Sequence, residues 1–314
     1  MYKKLTVAVV IPCYNEEKLI TKTIDALPDF IDAVIAVNDA SKDNTLTVLN
    51  TLKKKNKKLF VVDNKENQGV GGALIAGYDY ALKHTDATAI GIVAGDAQFD
   101  TSYLAPMLDV FIEEDADYVK ASRFFHREAF KKMPRYRQFG NIFISLLTKF
   151  STGYYSITDI TNGCGFLRRS VIEKVNFSFV QKRYDYETSM LTALSIANAK
   201  VIDHAVPAIY GEETSTIKLI PTALRNLRAV WTGFWRRIYY KYMLYGFHPI
   251  ALFLLSGMFL GTIGVLFGAF LLFERIARDL SPSAGTIMLV VLPVILGFQL
   301  VLTALVMDVN NENK

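Results

Sequence analysis

Ala89-Ile90-Gly91-Ile92-Val93-Ala94-Gly95-Asp96-Ala97-Gln98-Phe99-Asp100 is an apolar run that ends abruptly in two small residues and a carboxylate. A short run without polar interruption fits a strand buried on both faces, the condition of a parallel sheet covered by helices. Three upstream segments repeat the pattern. Leu5 to Ile11 ends at Pro12, Ala33 to Val37 ends at Asn38 and Asp39, and Leu59 to Val62 leads to Asn64 and Asn67. Between them apolar residues recur at helical spacing, as in Leu19, Ile20, Thr23, Ile24 and Leu27, or Leu74, Tyr78, Ala81 and Leu82. Asn15 is expected to cap the first helix, and Ser41 or Asp43 the second. Strands alternating with amphipathic helices require right-handed crossovers, so the fold class is α/β with a mostly parallel central sheet. Ligands of such sheets lie beyond the carboxyl ends of the strands, so Asn15, Asp39, Asn67 and Asp96 are expected around one cleft. From Tyr118 to Pro207 the pattern loosens, with a strand expected over residues 117–122, a helix over 135–150 and a strand over 199–206.

The strand ends carry the chemistry. Asp96 sits among small residues, where a carboxylate can reach a divalent cation that neutralises a departing diphosphate. Asp100 either assists it or caps the next helix. Asn38 and Asp39 offer acceptors to the N–H of a base, and the turn Gln68-Gly69-Val70-Gly71-Gly72-Ala73 lets backbone approach a phosphate closely. In Tyr184-Asp185-Tyr186-Glu187, carboxylates alternate with aromatic rings, an arrangement that suits a proton acceptor beside an incoming hydroxyl. Arg123, Arg135, Arg137 and Lys218 are candidate phosphate ligands. Cys13 and Cys164 read as small buried residues.

The chain has 314 residues, 51% of them apolar, and a formal charge of +5. Two uncharged stretches of twenty-five residues, Pro249 to Phe273 and Ser283 to Met307, are each about 37 Å long as helices, enough to cross a hydrocarbon layer of ~30 Å. The basic residues cluster before the first of them, at Lys218, Arg225, Arg228, Arg236, Arg237 and Lys241, and argue for a lipid surface and against nucleic acid. This bias predicts an integral, multi-pass protein with its catalytic part cytoplasmic. The apolar stretch before Pro12 is too short for a signal peptide. Aromatic and basic residues alternating from Ile217 to Tyr245 predict helices lying in the membrane plane. The expected division is residues 1–215 catalytic, 216–247 interfacial, 248–307 membrane-spanning and 308–314 a cytoplasmic tail. Glycines at Gly257, Gly261, Gly264 and Gly268 permit close helix packing, including packing between copies in a homo-oligomer.

Together these segments resemble the family 2 glycosyltransferases of GT-A fold, and among them the dolichyl- and polyprenyl-phosphate sugar synthases. The resemblance spans roughly residues 5 to 240 and rests on motifs recurring in order. Ile11-Pro12-Cys13-Tyr14-Asn15-Glu16-Glu17 matches the opening nucleotide motif. Asn38-Asp39-Ala40-Ser41-Lys42-Asp43-Asn44-Thr45 matches the second, with Asn38 replacing the usual Asp, and Asn67 to Gly72 matches the glycine turn. Where the family has Asp-x-Asp, this chain has Ala94-Gly95-Asp96, followed by the family's glutamine at Gln98. Arg123 and Asn141 fit, as does Asp159-Ile160-Thr161-Asn162-Gly163-Cys164-Gly165-Phe166, although Gly165 stands where the lipid-phosphate synthases commonly have Arg. Glu212 to Lys218 resembles the segment joining the catalytic domain to the interface helices.

The resemblance implies nucleotide binding by Pro12, Tyr14, Glu16, Asn38, Asp39, Asn67, Gly71 and Asp96, and a Mg²⁺ or Mn²⁺ ion at Asp96 and Gln98. It implies acceptor or phosphate binding by Arg123, Asp159 and Asn162, beside the candidate phosphate ligands Arg135, Arg137 and Lys218, with Asp185, Glu187 and Asp96 catalytic. The donor implied is a UDP- or GDP-sugar and the acceptor polyprenyl or dolichyl phosphate, glycosylated with inversion at the cytoplasmic membrane face. Extension of a lipid-linked glycan or surface polysaccharide is one alternative. A non-catalytic, membrane-anchored binding subunit is another, since Ala94 removes half of the metal pair. Two terminal spans offer little material for a polymer channel or a transporter's inverted repeats.

Overall fold

The computed structural model describes residues 1–123, 135–160, 162–183, 185–207 and 219–312, with backbone alone for 135–143 and 219–225. It divides into two compact units, Met1–Trp235 and Arg236–Glu312. The first unit is built on a seven-stranded sheet. Its strands are β1 (Val7–Cys13), β2 (Ala33–Asn38), β3 (Leu59–Asp63), β4 (Ala89–Ile92), β5 (Tyr118–Ser122), β6 (Gly165–Arg168) and β7 (Val201–Ala205), in the order β3-β2-β1-β4-β6-β5-β7. The first four in that order are mutually parallel, β6 runs antiparallel to β4 and β5, and β7 is parallel to β5. The mostly parallel α/β sheet expected from the apolar runs is borne out.

Each apolar run feeds two cores because side chains alternate across a strand. Ala8, Val10, Ile35, Val37, Ile90 and Ile92 enter one core, and Val7, Val9, Ile11, Val34, Ala36 and Ala89 the other. Helix α1 (Ile20–Asp25) and α2 (Thr45–Lys55) follow β1 and β2, and α3 (Val70–His84) follows β3. A Cβ at Gly77 of α3 would stand 2.2 Å from Val10 Cγ1, so glycine there lets the helix lie directly on β1. Then come α4 (Leu104–Glu113), α5 (Arg135–Thr152), α6 (Arg169–Ile172), α7 (Tyr186–Ile196) and α8 (Leu219–Arg237).

Three local expectations change. Asn15 does not cap α1, whose N-cap position is Leu19 without a side-chain bond. Asn15 adopts φ 60° and accepts from Lys42 N at 2.8 Å instead. For α2, Asp43 rather than Ser41 receives the Thr45 N–H, at 3.0 Å, while Ser41 Oγ receives Asn15 N at 3.1 Å. Finally, β6 is an added strand between the helix expected over 135–150 and the strand expected over 199–206. A Cβ at Gly165 would lie 2.5 Å from both Tyr118 Cε2 and Val119 O, so the β5–β6 pairing leaves no room for a side chain.

The two compact units divide between Trp235 and Arg236. Helix α8 packs on the rest of the first unit: Ser151 Oγ donates to Val230 O at 2.8 Å, and a Cβ at Gly233 would meet Ser151 and Thr192 within 3.0 Å. Leu227 and Trp231 on the same helix are exposed. In the second unit a π-helical turn (Ile238–Leu244) precedes α9 (Pro249–Arg278) and α10 (Ala284–Asn310). These last two helices are long and apolar enough to cross a membrane, with mean hydropathies of 2.3 and 2.6. His248 Nδ1 accepts from Ile250 N at the start of α9, and Ser283 Oγ accepts from Thr286 N at the start of α10. The glycine stripe packs the pair within one chain: Cβ atoms at Gly257 and Gly264 would approach Gly297 O and Val294 Cγ2 to 2.7 Å. Asp308 lies in the last turn of α10.

Candidate active site

The carboxyl ends of β1 and β2 are joined by hydrogen bonds between their loops. Besides the Asn15 contacts, Glu16 N donates to Thr45 Oγ1 at 2.8 Å, and Glu17 Oε2 accepts from Asn44 N at 3.0 Å. At the end of β2, Asn38 is turned to the sheet edge, donating to Asp63 Oδ1 at 2.7 Å and accepting from Ser41 N at 3.3 Å. Asp39, 3% exposed, gathers the glycine turn. Its Oδ1 accepts from Asn64 Nδ2 and Gln68 N at 2.9 and 3.0 Å, its Oδ2 accepts from Gly69 N at 2.8 Å, and its carbonyl accepts from Asn67 Nδ2 at 3.2 Å.

Two cavities open above these loops. The larger, about 480 Å³, is lined by Pro12, Tyr14, Glu16, Asp39, Asn67, Asp96 and Arg183 among others, a size ordinary for a small-molecule site. The smaller, about 220 Å³, includes Asp96, Gln98, Arg123, Asn162 and Glu187 in its wall. Pro12, Val70, Ala94 and Asp96 belong to both, so Asp96 stands where the two meet. Asn15, Asn38, Gly71 and Asp185 line neither. Gly71 is needed for a different contact, because a Cβ there would lie 2.4 Å from Gln181 O. That packing, with Gly72 N donating to Lys182 O at 3.1 Å, seats the segment that carries Arg183 against the start of α3.

On the side of the smaller cavity, Arg123 grips Asp159 with Nε on Oδ2 at 2.8 Å and Nη2 on Oδ1 at 3.2 Å, while its backbone N–H reaches Oδ2 at 3.0 Å. Burial raises the Asp159 carboxyl, but the Arg123 hydrogen bonds and charge outweigh it and hold Asp159 below the usual range. Asp159 therefore aims Arg123 rather than facing the cavity itself. Asn162 Oδ1 accepts from Cys164 N at 3.1 Å. Asp185 occupies the N-cap position of α7, and Glu187 in the first turn enters the cavity wall. Burial pushes Glu187 up to about 7, and Asp185 adds to the rise while Lys120 and Arg123 oppose it. The side chains of Arg135 and Arg137, and Lys218 entirely, lie outside the described residues.

Asp96 Oδ1 accepts from Gln98 N at 3.1 Å, and Asp100 caps the next turn through Ser102 N at 3.0 Å. Among the described residues no group of three or more His, Cys, Asp or Glu forms a metal cage. One carboxylate suits a hard cation that takes its remaining oxygens from a diphosphate and water, as Mg²⁺ commonly does. The larger cavity is lined by three carboxylates, Glu16, Asp39 and Asp96, against one arginine. A diphosphate entering it needs a counter-cation, so the donor set fits such an ion. Cys13 and Cys164 are buried, and burial raises both thiols, the second to about 12.

Residues 8–175 match the family model described as glycosyl transferase family 2. The chain belongs to that family. This glycosyltransferase is 28% identical over 216 residues to the UDP-N-acetylglucosamine--dolichyl-phosphate N-acetylglucosaminyltransferase of Methanococcus voltae, covering 65% of this chain and 85% of that protein. It is 24% identical over 245 residues to the undecaprenyl-phosphate mannosyltransferase of Micrococcus luteus, covering 74% and 99%. Its fold is shared with glucosyl-3-phosphoglycerate synthase from Mycobacterium tuberculosis, solved with Mn²⁺, UDP and glucosyl-3-phosphoglycerate. The TM-score is 0.53 at 16% identity, over 73% of this chain and 80% of that one. The expected GT-A fold is borne out.

Sequence patterning did not single out Arg183, an exposed cation on the wall of the glycosyltransferase's larger cavity. The basic pair Lys182-Arg183 just before the acidic cluster was the available signal. Lys182 anchors the segment through Gln68 Oε1 at 2.8 Å.

Proposed function

We propose that this glycosyltransferase moves a hexose or N-acetylhexosamine from a UDP- or GDP-sugar to polyprenyl or dolichyl phosphate, with inversion, at the cytoplasmic face of a membrane. The observation that carries the reading is the position of Asp96 between a cavity sized for a nucleotide and a smaller one lined by Arg123 and Glu187. The names of the Methanococcus and Micrococcus relatives support a lipid-phosphate acceptor. The two long apolar helices support an enzyme held in the bilayer that dissolves such an acceptor.

In this reading the nucleotide occupies the larger cavity, with Tyr14, which is 42% exposed, offering an aromatic face and Arg183 a cation. Asp96 would hold a Mg²⁺ or Mn²⁺ ion beside Gln98, and the bound ion supplies compensation for the negative charge of the departing diphosphate. Arg123, aimed by Asp159, attracts the acceptor phosphate. An acceptor oxygen forms the bond to the anomeric carbon as the bond to diphosphate breaks on the opposite face. Glu187 accepts the proton of an acceptor that arrives protonated, a task its value of about 7 suits.

A second reading, extension of a lipid-linked glycan or surface polysaccharide, is favoured by Gly165. Backbone and Tyr118 leave no room for a side chain at Gly165, the position where the resembling synthases commonly have Arg. The deciding experiment offers labelled UDP- and GDP-sugars and polyprenyl phosphate to the detergent-solubilised protein with Mn²⁺ or Mg²⁺, comparing wild type with Asp96→Asn. One lipid-linked monosaccharide made only by wild type supports the first reading. No transfer to free lipid phosphate, together with metal-dependent nucleotide binding, rejects it in favour of a glycan acceptor.

A further inference from the structure

Lys120 lies in the middle of β5 with 1% of its surface exposed, among the largest fully buried side chains of the protein. Its neighbours across the sheet are Gly165 of β6 and Asp203 of β7. An ammonium in such a position persists only where partners compensate its lost hydration. Lys120 Nζ donates to the main-chain carbonyl of Asp159, the residue whose carboxylate grips Arg123. One residue earlier, Thr158 donates its N–H and hydroxyl to Asp203 Oδ2 at 2.6 and 2.7 Å. Among the described residues, Asp203 Oδ1 has no hydrogen-bond partner, although it is buried. Two consecutive residues, Thr158 and Asp159, are thus held by charged groups on adjacent strands.

We propose that Lys120 is a positioning residue of the transfer reaction. It fixes the Asp159 backbone, and with it the Arg123–Asp159 pair at the smaller cavity, and it supplies a positive charge to the Glu187 side of that cavity. The inference rests on the acceptor-side roles proposed above for Arg123 and Glu187. Charge balance supports it. Lys120 and Arg123 offset Asp159 and Asp203, so an ionised Glu187 leaves the group with an excess negative charge, to which Asp185 adds. Burial lowers Lys120 while Asp159, Asp203 and Glu187 raise it, and the same Lys120 charge opposes the upward push of burial on Glu187. The other titratable groups that feel Glu187, the phenols of Tyr78, Tyr118 and Tyr186, are all raised well above their ordinary value and stay neutral near neutrality.

The test uses the full chain in detergent, with Lys120→Met, Lys120→Gln and Lys120→Arg assayed for kcat and for donor and acceptor KM across pH values around neutrality. Removing the charge is expected to move the acid limb of activity upward by about one pH unit, because a neighbouring cation favours the carboxylate. Lys120→Met also loses the bond to Asp159, raising acceptor KM by about tenfold with donor KM unchanged. Lys120→Gln keeps a donor without the charge, so it moves the limb with little effect on acceptor KM, and it decides the matter should Lys120→Met fail to fold. Lys120→Arg restores the wild-type limb. The second ionisation of the acceptor phosphate is common to all variants and cannot produce a difference among them. A purely structural lysine would lower kcat equally at every pH, and charge-removing variants with an unmoved limb overturn the proposal. If wild type itself makes no lipid-linked product, the acceptor reading fails. Hydrolysis of the nucleotide sugar, in which water takes the sugar as the nucleoside diphosphate leaves, then carries the same comparison over the same pH values.

Discussion

Arg237 and Asp308 meet 71 residues apart in a two-pronged ion pair, Nη1 to Oδ1 at 2.7 Å and Nη2 to Oδ2 at 2.8 Å, with both side chains buried. Tyr242 also donates to Asp308 Oδ1, which ties the π-helical turn to the end of α10. Removing one member leaves a buried charge unpaired, at a cost of about 3–5 kcal/mol, whereas replacing both by apolar residues is nearly neutral. Asp308→Asn and Arg237→Met are expected to lower the melting temperature in detergent, and Arg237→Met/Asp308→Leu to recover most of the loss. A double variant as unstable as either single one would show that the pair is not the source of the effect.

Asp39 satisfies two backbone N–H groups of the glycine turn besides the Asn64 amide. Asp39→Ala strands those donors, each worth about 1–3 kcal/mol. Donor KM is expected to rise by at least about tenfold, since 1.4 kcal/mol is a factor of ten, while acceptor KM holds. Steady-state kinetics with each substrate varied in turn measure the split.

Gly71→Ala forces a methyl to 2.4 Å from Gln181 O. Overpacking of this kind costs about 1–3 kcal/mol, and here it also displaces the segment carrying Arg183. Both a lower melting temperature and weaker nucleotide binding by calorimetry are expected. Stability loss with unchanged nucleotide affinity would separate Arg183 from the site.

Gly257→Ala and Gly264→Ala push methyl groups into the backbone and side chains of α10, whereas a Cβ at Gly261 meets nothing within 4 Å. The first two are expected to destabilise the helix pair by about 1–3 kcal/mol and Gly261→Ala to be tolerated. Thermal unfolding in detergent ranks the three.

Activity should rise with pH through about 7 as Glu187 loses its proton, and Glu187→Gln should abolish that limb. The sign for stability is opposite. A carboxyl raised in the folded state binds its proton more tightly there than in the unfolded chain, so its contribution falls as pH climbs from the ordinary carboxylate value to about 7, then levels off. Melting curves of wild type and Glu187→Gln across that interval read the difference directly.

By itself the sequence determined the architecture of the first hundred residues and the two apolar helices. Continuous Val, Ile and Ala runs can be buried only between helical layers, and their ends are where the Pro12, Asp39 and Asp96 loops converge. Tyr14, Glu16, Asn67, Gln98, Arg123, Asn162 and Glu187 also line the cavities, because each follows a strand or sits in a motif read in order. The tertiary structure alone decided how such residues are used. Four residues, Gly165-Phe166-Leu167-Arg168, are too few to announce a strand, and β6 exists because β4 and β5 offer edges to pair with. Asn15 and Asn38 carry side chains as polar as any ligand, yet Lys42 N and Asp63 claim them. Asp185 and Glu187 are chemically alike and two residues apart. Only the start of α7 at Tyr186 leaves one at the helix cap and brings the other into the cavity wall, and Lys120, read from sequence as one strand residue among several, comes to lie opposite Asp203 only when β5 lies beside β7. Patterning along a chain reports which residues must be buried, but which polar group satisfies which depends on contacts between segments far apart in sequence, and those exist only in the folded state.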